Sequence, residues 1–327
     1  RNDSNRNYGH HIAEAEQTNQ DGSLDDFKIR YWDVRFSNLC NFSCRSCGPI
    51  FSSNWYNDHV KLYGKKPDVL GRDMARVEYT SGNEESMLEQ MEQHIPYLEQ
   101  VYFAGGEPLI MKEHYYLLEK LIEHGKTDVR IQYNTNFSEM RFKDKHVYDY
   151  WKEFKNVSVG ASLDASGAQA ELIRKGTEWE QAVDNRFQMM AKVPHVDFYV
   201  SSTISAMNVL HVLDFHKEWT KMGLITAKDW NVNICQSPEW YRPDIFPQDF
   251  KDQVITPAYE KHIEWLEPKD RLRRATNGYK SVLRLINAQD NYKQWPEFES
   301  QIAKLDGIRN ENFWETFPEF KGLHVPA

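Results

Sequence analysis

The chain of 327 residues carries a net charge of −9 and no long run of Lys or Arg, so it lacks the concentrated basic surface that duplex nucleic acid requires. With 40% hydrophobic and 27% charged residues it has the balance of a domain that buries a substantial core, which excludes a disordered chain. No apolar stretch approaches the roughly 20 residues that span a bilayer, and the first residues show neither the basic start nor the apolar run of a secretory signal, so the expectation is a cytoplasmic protein without a membrane partner.

Residues 1–28 are polar and read as a lead-in to the folded part. The aromatic and β-branched stretch 29–36 (IRYWDVRF) reads as the first strand. At its carboxyl end comes Cys40-Asn-Phe-Ser-Cys44-Arg-Ser-Cys47, which holds three of the four cysteines. Thiols kept free in a reducing compartment bind soft or borderline metals, with iron–sulfur clusters and zinc as the usual occupants. No histidine follows Cys47 until His59, so the loop itself offers three ligands.

A helix is expected over 53–63, then a polar stretch from 64 to about 84 that reads as an insertion or lid. Strand candidates at 98–104, 129–134, 157–164, 196–205 and 227–236 alternate with helices at 112–123, 143–154, 179–191 and 209–222. Strand-then-helix units in succession imply a parallel sheet, because parallel neighbours need a crossover. The periodicity alone admits a closed or partial barrel and also a doubly wound sheet. From about 247 to 305 the pattern changes to amphipathic helices, followed by an aromatic cluster at 312–320 that reads mainly as core packing.

The cysteine spacing C-x3-C-x2-C, together with Gly105-Gly106-Glu107-Pro108 after the second strand, resembles the radical SAM superfamily. The resemblance covers roughly 29–237 and implies an α/β fold, a partial (βα)6 TIM-like barrel, with 238–327 as a mainly helical C-terminal extension. It implies that Cys40, Cys44 and Cys47 hold one [4Fe–4S] cluster whose open iron is chelated by S-adenosylmethionine. An external one-electron donor such as flavodoxin or ferredoxin would then drive release of a 5′-deoxyadenosyl radical. The Gly105–Pro108 motif would receive the cofactor's amino group, the loop at Asn134 and Asn136 would line its site, Ser162 and Asp164 would meet the ribose, and Arg174 would pair with its carboxylate.

Two positions depart from the family pattern. Ser46 stands where a bulky apolar residue commonly packs the adenine, which shifts that role to Phe42, and Phe137 replaces the glycine of a Thr-Asn-Gly turn. Cys235, the remaining cysteine, falls at the end of the sixth strand, where it is a candidate hydrogen-atom donor in an epimerisation and equally a small buried hydrophobe. The resemblance is nearest to the twitch/SPASM-like group, though without cysteines for auxiliary clusters, and it points to a peptide or protein segment as substrate. A small molecule such as a sugar or nucleoside is the alternative, and a zinc-binding interaction protein is the rival from another class.

Overall fold

The computed structural model describes residues 16–69, 71, 75, 77 and 84–323. One sheet contains β1 (Tyr31–Val34), β2 (Gln100–Phe103), β3 (Arg130–Thr135), β4 (Asn156–Ala161), β5 (Asp197–Ile204) and β6 (Trp230–Ile234). Every neighbouring pair is parallel, and the order across the sheet is the order along the chain. A doubly wound sheet reverses its order at a switch point. An unbroken order keeps each crossover moving the same way, so the doubly wound alternative is excluded. The first and sixth strands do not pair with each other, which leaves the barrel partial and open.

The longer helices are α1 (Trp55–Tyr63), α2 (Glu84–Glu92), α3 (Lys112–Glu123), α4 (Val147–Trp151), α5 (Gly167–Ile173), α6 (Trp179–Lys192), α7 (His211–Lys221), α8 (Thr256–Leu266), α9 (Arg274–Ala288) and α10 (Trp295–Arg309). In α7 the buried residues Val212, Phe215, His216 and Trp219 recur at helical spacing and form one face against the sheet's outer side. Two expectations are corrected. The helix expected over 143–154 is a two-residue hairpin, Arg141–Phe142 against Lys145–His146, followed by the short α4. Lys143 takes a left-handed φ of 55°, which closes the hairpin and which helix-period patterning does not reveal. The helices α2 and α5 have no counterpart among the expected elements: α2 is mostly polar, and α5, with 7 residues, is too short to show a helical period.

The register aligns Asp33, Tyr102, Gln132, Ser158 and Asp197 in one row across five strands. Parallel sheets are usually covered on both faces. Here the inner face is polar and partly open, joined by Gln100 to Gln132 at 3.3 Å, Gln132 to Tyr199 at 3.5 Å and Asn233 to Ser201 at 3.1 Å.

The stretch from 64 to about 84 lies largely outside the described residues. Of its described part, Val69 and Val77 are buried, and Asn38 exchanges backbone and side-chain hydrogen bonds with Val77 and Ala75 just ahead of the cysteine loop. The C-terminal helices pack on the barrel. α9 lies so close to β6 that a Cβ at Gly278 would meet the Val232 Cβ at 2.6 Å. The aromatic cluster is core, as expected: Phe313, Phe317 and Phe320 are fully buried, with Phe313 stacked on Phe317 at 4.8 Å. Each such ring contributes about 1.5–3 kcal/mol through burial.

Candidate cofactor site

The carboxyl ends of the first four strands converge on a cavity of about 220 Å³ lined by Cys40, Cys44 and Cys47. Its wall also holds Phe42, Gly105, Gly106, Asn134, Asn136, Ser162 and Arg174, so most of the residues expected at the site meet there. Arg35, Phe51, Ser52, Tyr102, Ala104 and Thr135 line it too and were not anticipated. The position of Tyr102 on an inward-facing row was the signal available for it, whereas Phe51 sits on a loop with no periodicity.

Backbone hydrogen bonds stitch the cysteine loop to its neighbours. Gly106 N–H donates to Ser37 O at 3.2 Å and Glu107 N–H to Leu39 O at 2.7 Å. Ser43 N–H donates to Lys175 O at 2.8 Å and Arg45 N–H to Ile173 O at 2.7 Å. The turn can approach this closely only because Gly106 lacks a side chain: a Cβ there would lie 2.1 Å from the Leu39 carbonyl oxygen. Gly105 takes a φ of 108°, which also favours glycine.

Glu107 does not line the cavity. It is 1% exposed, and its carboxylate accepts from Leu109 N–H at 3.0 Å, Thr135 Oγ1 at 2.7 Å and Asn136 N–H at 2.6 Å. Burial pushes its pKa up to about 7, against the pull of those three donors. It therefore ties the loop after β2 to the loop after β3, and the surface offered to a ligand is the Gly105–Gly106 backbone. Pro108 is likewise buried away from the cavity.

Asp164 is 2% exposed and absent from the wall. One oxygen accepts the Thr203 amide at 2.7 Å and the other the Arg174 Nε at 2.8 Å. Its role here is to aim Arg174, whose Nη1 reaches the Cys44 sulfur at 3.7 Å. Asn136 donates to Asn41 at 2.8 Å inside the cysteine loop. Phe137 adopts the left-handed conformation, φ 61°, that a glycine would take there, and its ring is buried against Phe198 at 5.1 Å. The packing offsets the strain of about 1 kcal/mol or more.

All four cysteines are free. Cys44 is held below the ordinary thiol value by a hydrogen bond from Cys47 and by the Arg174 charge. Cys47 is correspondingly raised, and burial pushes Cys40 up to about 12. Among the described residues no three His, Cys, Asp or Glu side chains are drawn around a single point as ligands of one ion. What the three sulfurs share is a cavity wall, a soft donor set that fits a cluster presenting separate irons to separate thiolates.

Cys235 follows β6 and is 4% exposed within the hydrophobic core. Its thiol donates to the Ser237 carbonyl at 3.5 Å, and burial raises its pKa to about 11 with a further push from Asp164. It does not line the cavity.

The fold and the cavity define a class, a partial parallel barrel with a three-cysteine loop at the carboxyl end of its first strand. The sequence profile of the Radical SAM superfamily matches residues 34–214, more than half of the chain, and the chain belongs to that superfamily. It is a radical SAM enzyme, of a family that uses a [4Fe–4S] cluster and S-adenosylmethionine. The zinc-binding interaction protein is thereby set aside.

Among solved structures, anSMEcpe with bound AdoMet and the Cp18Cys peptide is 16% identical with a TM-score of 0.49, the match covering 75% of this chain and 62% of that one. SuiB of Streptococcus suis bound to S-adenosylmethionine is 13% identical with a TM-score of 0.40, covering 80% of this chain and 48% of that one. The chain thus spans less than two thirds of either structure. No curated protein matches the sequence. Among the described residues no helix is long and apolar enough to cross a membrane.

Proposed function

We propose that Cys40, Cys44 and Cys47 hold one [4Fe–4S] cluster and that the enzyme abstracts hydrogen from a peptide or protein segment laid across the polar inner face of the barrel. The observation that carries this reading is the opening of one three-cysteine cavity beside an inward-facing row of hydrogen-bonding side chains. When bound, the cluster and S-adenosylmethionine supply the electron transfer and the radical. The chain's own residues orient and enclose them. Arg174, aimed by Asp164, offers a guanidinium to the cofactor's carboxylate. The Gly105–Gly106 backbone would meet its ammonium group, Phe42 would pack its adenine where Ser46 lacks the bulk to do so, Ser162 would offer its hydroxyl to the ribose, and Asn134 and Asn136 would line the site.

The amide-rich inner face, with Gln132, Asn134, Asn231 and Asn233, suits the repeating N–H and C=O groups of an extended peptide. Epimerisation of an α-carbon is the specific reaction that Cys235 would serve as hydrogen donor, a reading supported by its place just past the carboxyl end of β6. We further propose a cytoplasmic enzyme served by flavodoxin or ferredoxin, with a core over 29–237 and an extension over 238–327.

The test is mass spectrometry of the anaerobically reconstituted, reduced enzyme with S-adenosylmethionine and peptides from neighbouring reading frames, in deuterated water. A peptide product carrying one solvent deuterium supports epimerisation through a thiol. Turnover of a sugar or nucleoside with no peptide modified would sink the substrate assignment.

A further inference from the structure

Arg45 stands between the second and third cysteines, yet its side chain is fully buried and does not line the cavity. Its Nη2 donates to Asp306 and to Glu311 Oε2 at 2.6 Å, and its Nε donates to Leu172 O at 3.2 Å. Both carboxylates come from the C-terminal extension. A second arginine of the same segment, Arg309, donates to the Ser43 carbonyl at 2.8 Å and pairs with Asp58 at 2.8 Å. Lys175, in the turn after α5 whose carbonyl accepts from Ser43 N–H, completes the set from the half-exposed side with Glu311 at 2.8 Å.

Buried charge pairs lose so much hydration that they add little net stability, so stability is a weak reason for such a network to sit directly behind a ligand loop. What it supplies is position and field. Groups that do not touch a metal still orient its ligands, and the potential of an iron–sulfur cluster depends on nearby charge and hydrogen bonding. Three cations and three carboxylates balance here, so the loss of either sign leaves the opposite charge uncompensated close to the cysteines.

We infer that Arg45 is a positioning residue for the cysteine loop and that Asp306, Arg309 and Glu311 are its counterpart, so that the C-terminal extension governs how firmly the cluster is held and how easily it is reduced. The inference rests on the proposal that Cys40, Cys44 and Cys47 hold the cluster. Without Arg45 the two carboxylates disfavour an added electron and the midpoint potential falls. Neutralising a carboxylate leaves excess positive charge and raises it.

The test uses the full chain, anaerobically reconstituted, with two readouts: the rate of iron loss to a chelator and a redox titration followed by electron paramagnetic resonance. Arg45→Met is expected to lower the midpoint and Asp306→Asn to raise it, with iron lost about tenfold faster in each. Arg45→Lys keeps the charge and is expected to restore the midpoint while restoring retention only in part, because ammonium cannot reproduce the forked contacts. If Arg45→Met does not fold, Asp306→Asn, Glu311→Gln and Arg45→Lys carry the same comparison of sign. Midpoints that move together, or that stay with the parent while iron is retained at the parental rate, overturn the inference. A parent that takes up no iron overturns the cluster assignment beneath it, whereas a parent with about four irons and unaltered variants overturns this inference alone.

Discussion

The Arg174 guanidinium donates to the Cys44 sulfur at 3.7 Å while Asp164 holds its other edge at 2.8 Å. Burial alone would weaken the charge on Arg174, but Asp164 and Cys44 together keep it firmly protonated. Cys44 is thereby the cysteine of the loop most disposed to be a thiolate, after its hydrogen bond from Cys47. In the metal-free protein Arg174→Ala should raise the pH at which thiolate ultraviolet absorbance first appears, since removing a cation disfavours the anion. An unmoved onset would separate Arg174 from the cysteines.

Gly106→Ala should be among the most damaging single-methyl changes. The added Cβ would lie 2.1 Å from the Leu39 oxygen and 2.6 Å from its carbonyl carbon, and both are backbone atoms that cannot swing aside. Either the turn or the cysteine loop must shift, at a cost of about 3 kcal/mol or more, and iron uptake should fall with it. A variant with parental thermal midpoint and iron content would show that the turn is not packed this tightly.

Glu107→Ala leaves three donors, Leu109 N–H, Thr135 Oγ1 and Asn136 N–H, buried without their acceptor. The expected loss is about 2–4 kcal/mol in denaturant unfolding.

The same residue sets a pH dependence. Its folded pKa of about 7 lies above the ordinary carboxyl value of 4.5, so between those values the folded state binds the extra proton. Its contribution is full below the unfolded pKa and is lost as pH rises through about 7. Glu107→Gln should flatten the decline in stability between about pH 5 and about pH 8, measured by urea midpoints. An identical slope in parent and variant would assign the pH dependence elsewhere.

Replacing Cys40, Cys44 or Cys47 with Ser should abolish iron uptake. Cys235→Ala should leave both iron content and S-adenosylmethionine cleavage intact, because that thiol is set apart from the cavity. If Cys235 is the hydrogen donor, the variant will also stop inversion of the peptide stereocentre; unchanged product would reject that role.

The fold was legible wherever local pattern and local structure coincide. Strand-then-helix alternation and the runs of β-branched and aromatic residues placed all six strands to within a few residues, and the cysteine spacing located the loop that the cavity is built on. The short helix after β3 was misread because a left-handed Lys143, a property of backbone conformation, turned the segment into a hairpin. Glu107 and Asp164 were expected to meet the cofactor, yet both carboxylates turn to protein donors away from the cavity, because a sequence does not tell which way a carboxylate points.

Residue types and their order along the chain were enough to point to the family, the three-cysteine loop and the parallel α/β architecture, since each is written in short-range spacing. Strand order, and with it the open barrel, depended on contacts between units far apart in the chain. So did the turning of Glu107 and Asp164 away from the cavity, and the capture of Arg45 by Asp306 and Glu311. Those outcomes are fixed by which buried donors find which acceptors once distant segments meet, and no local periodicity encodes that pairing.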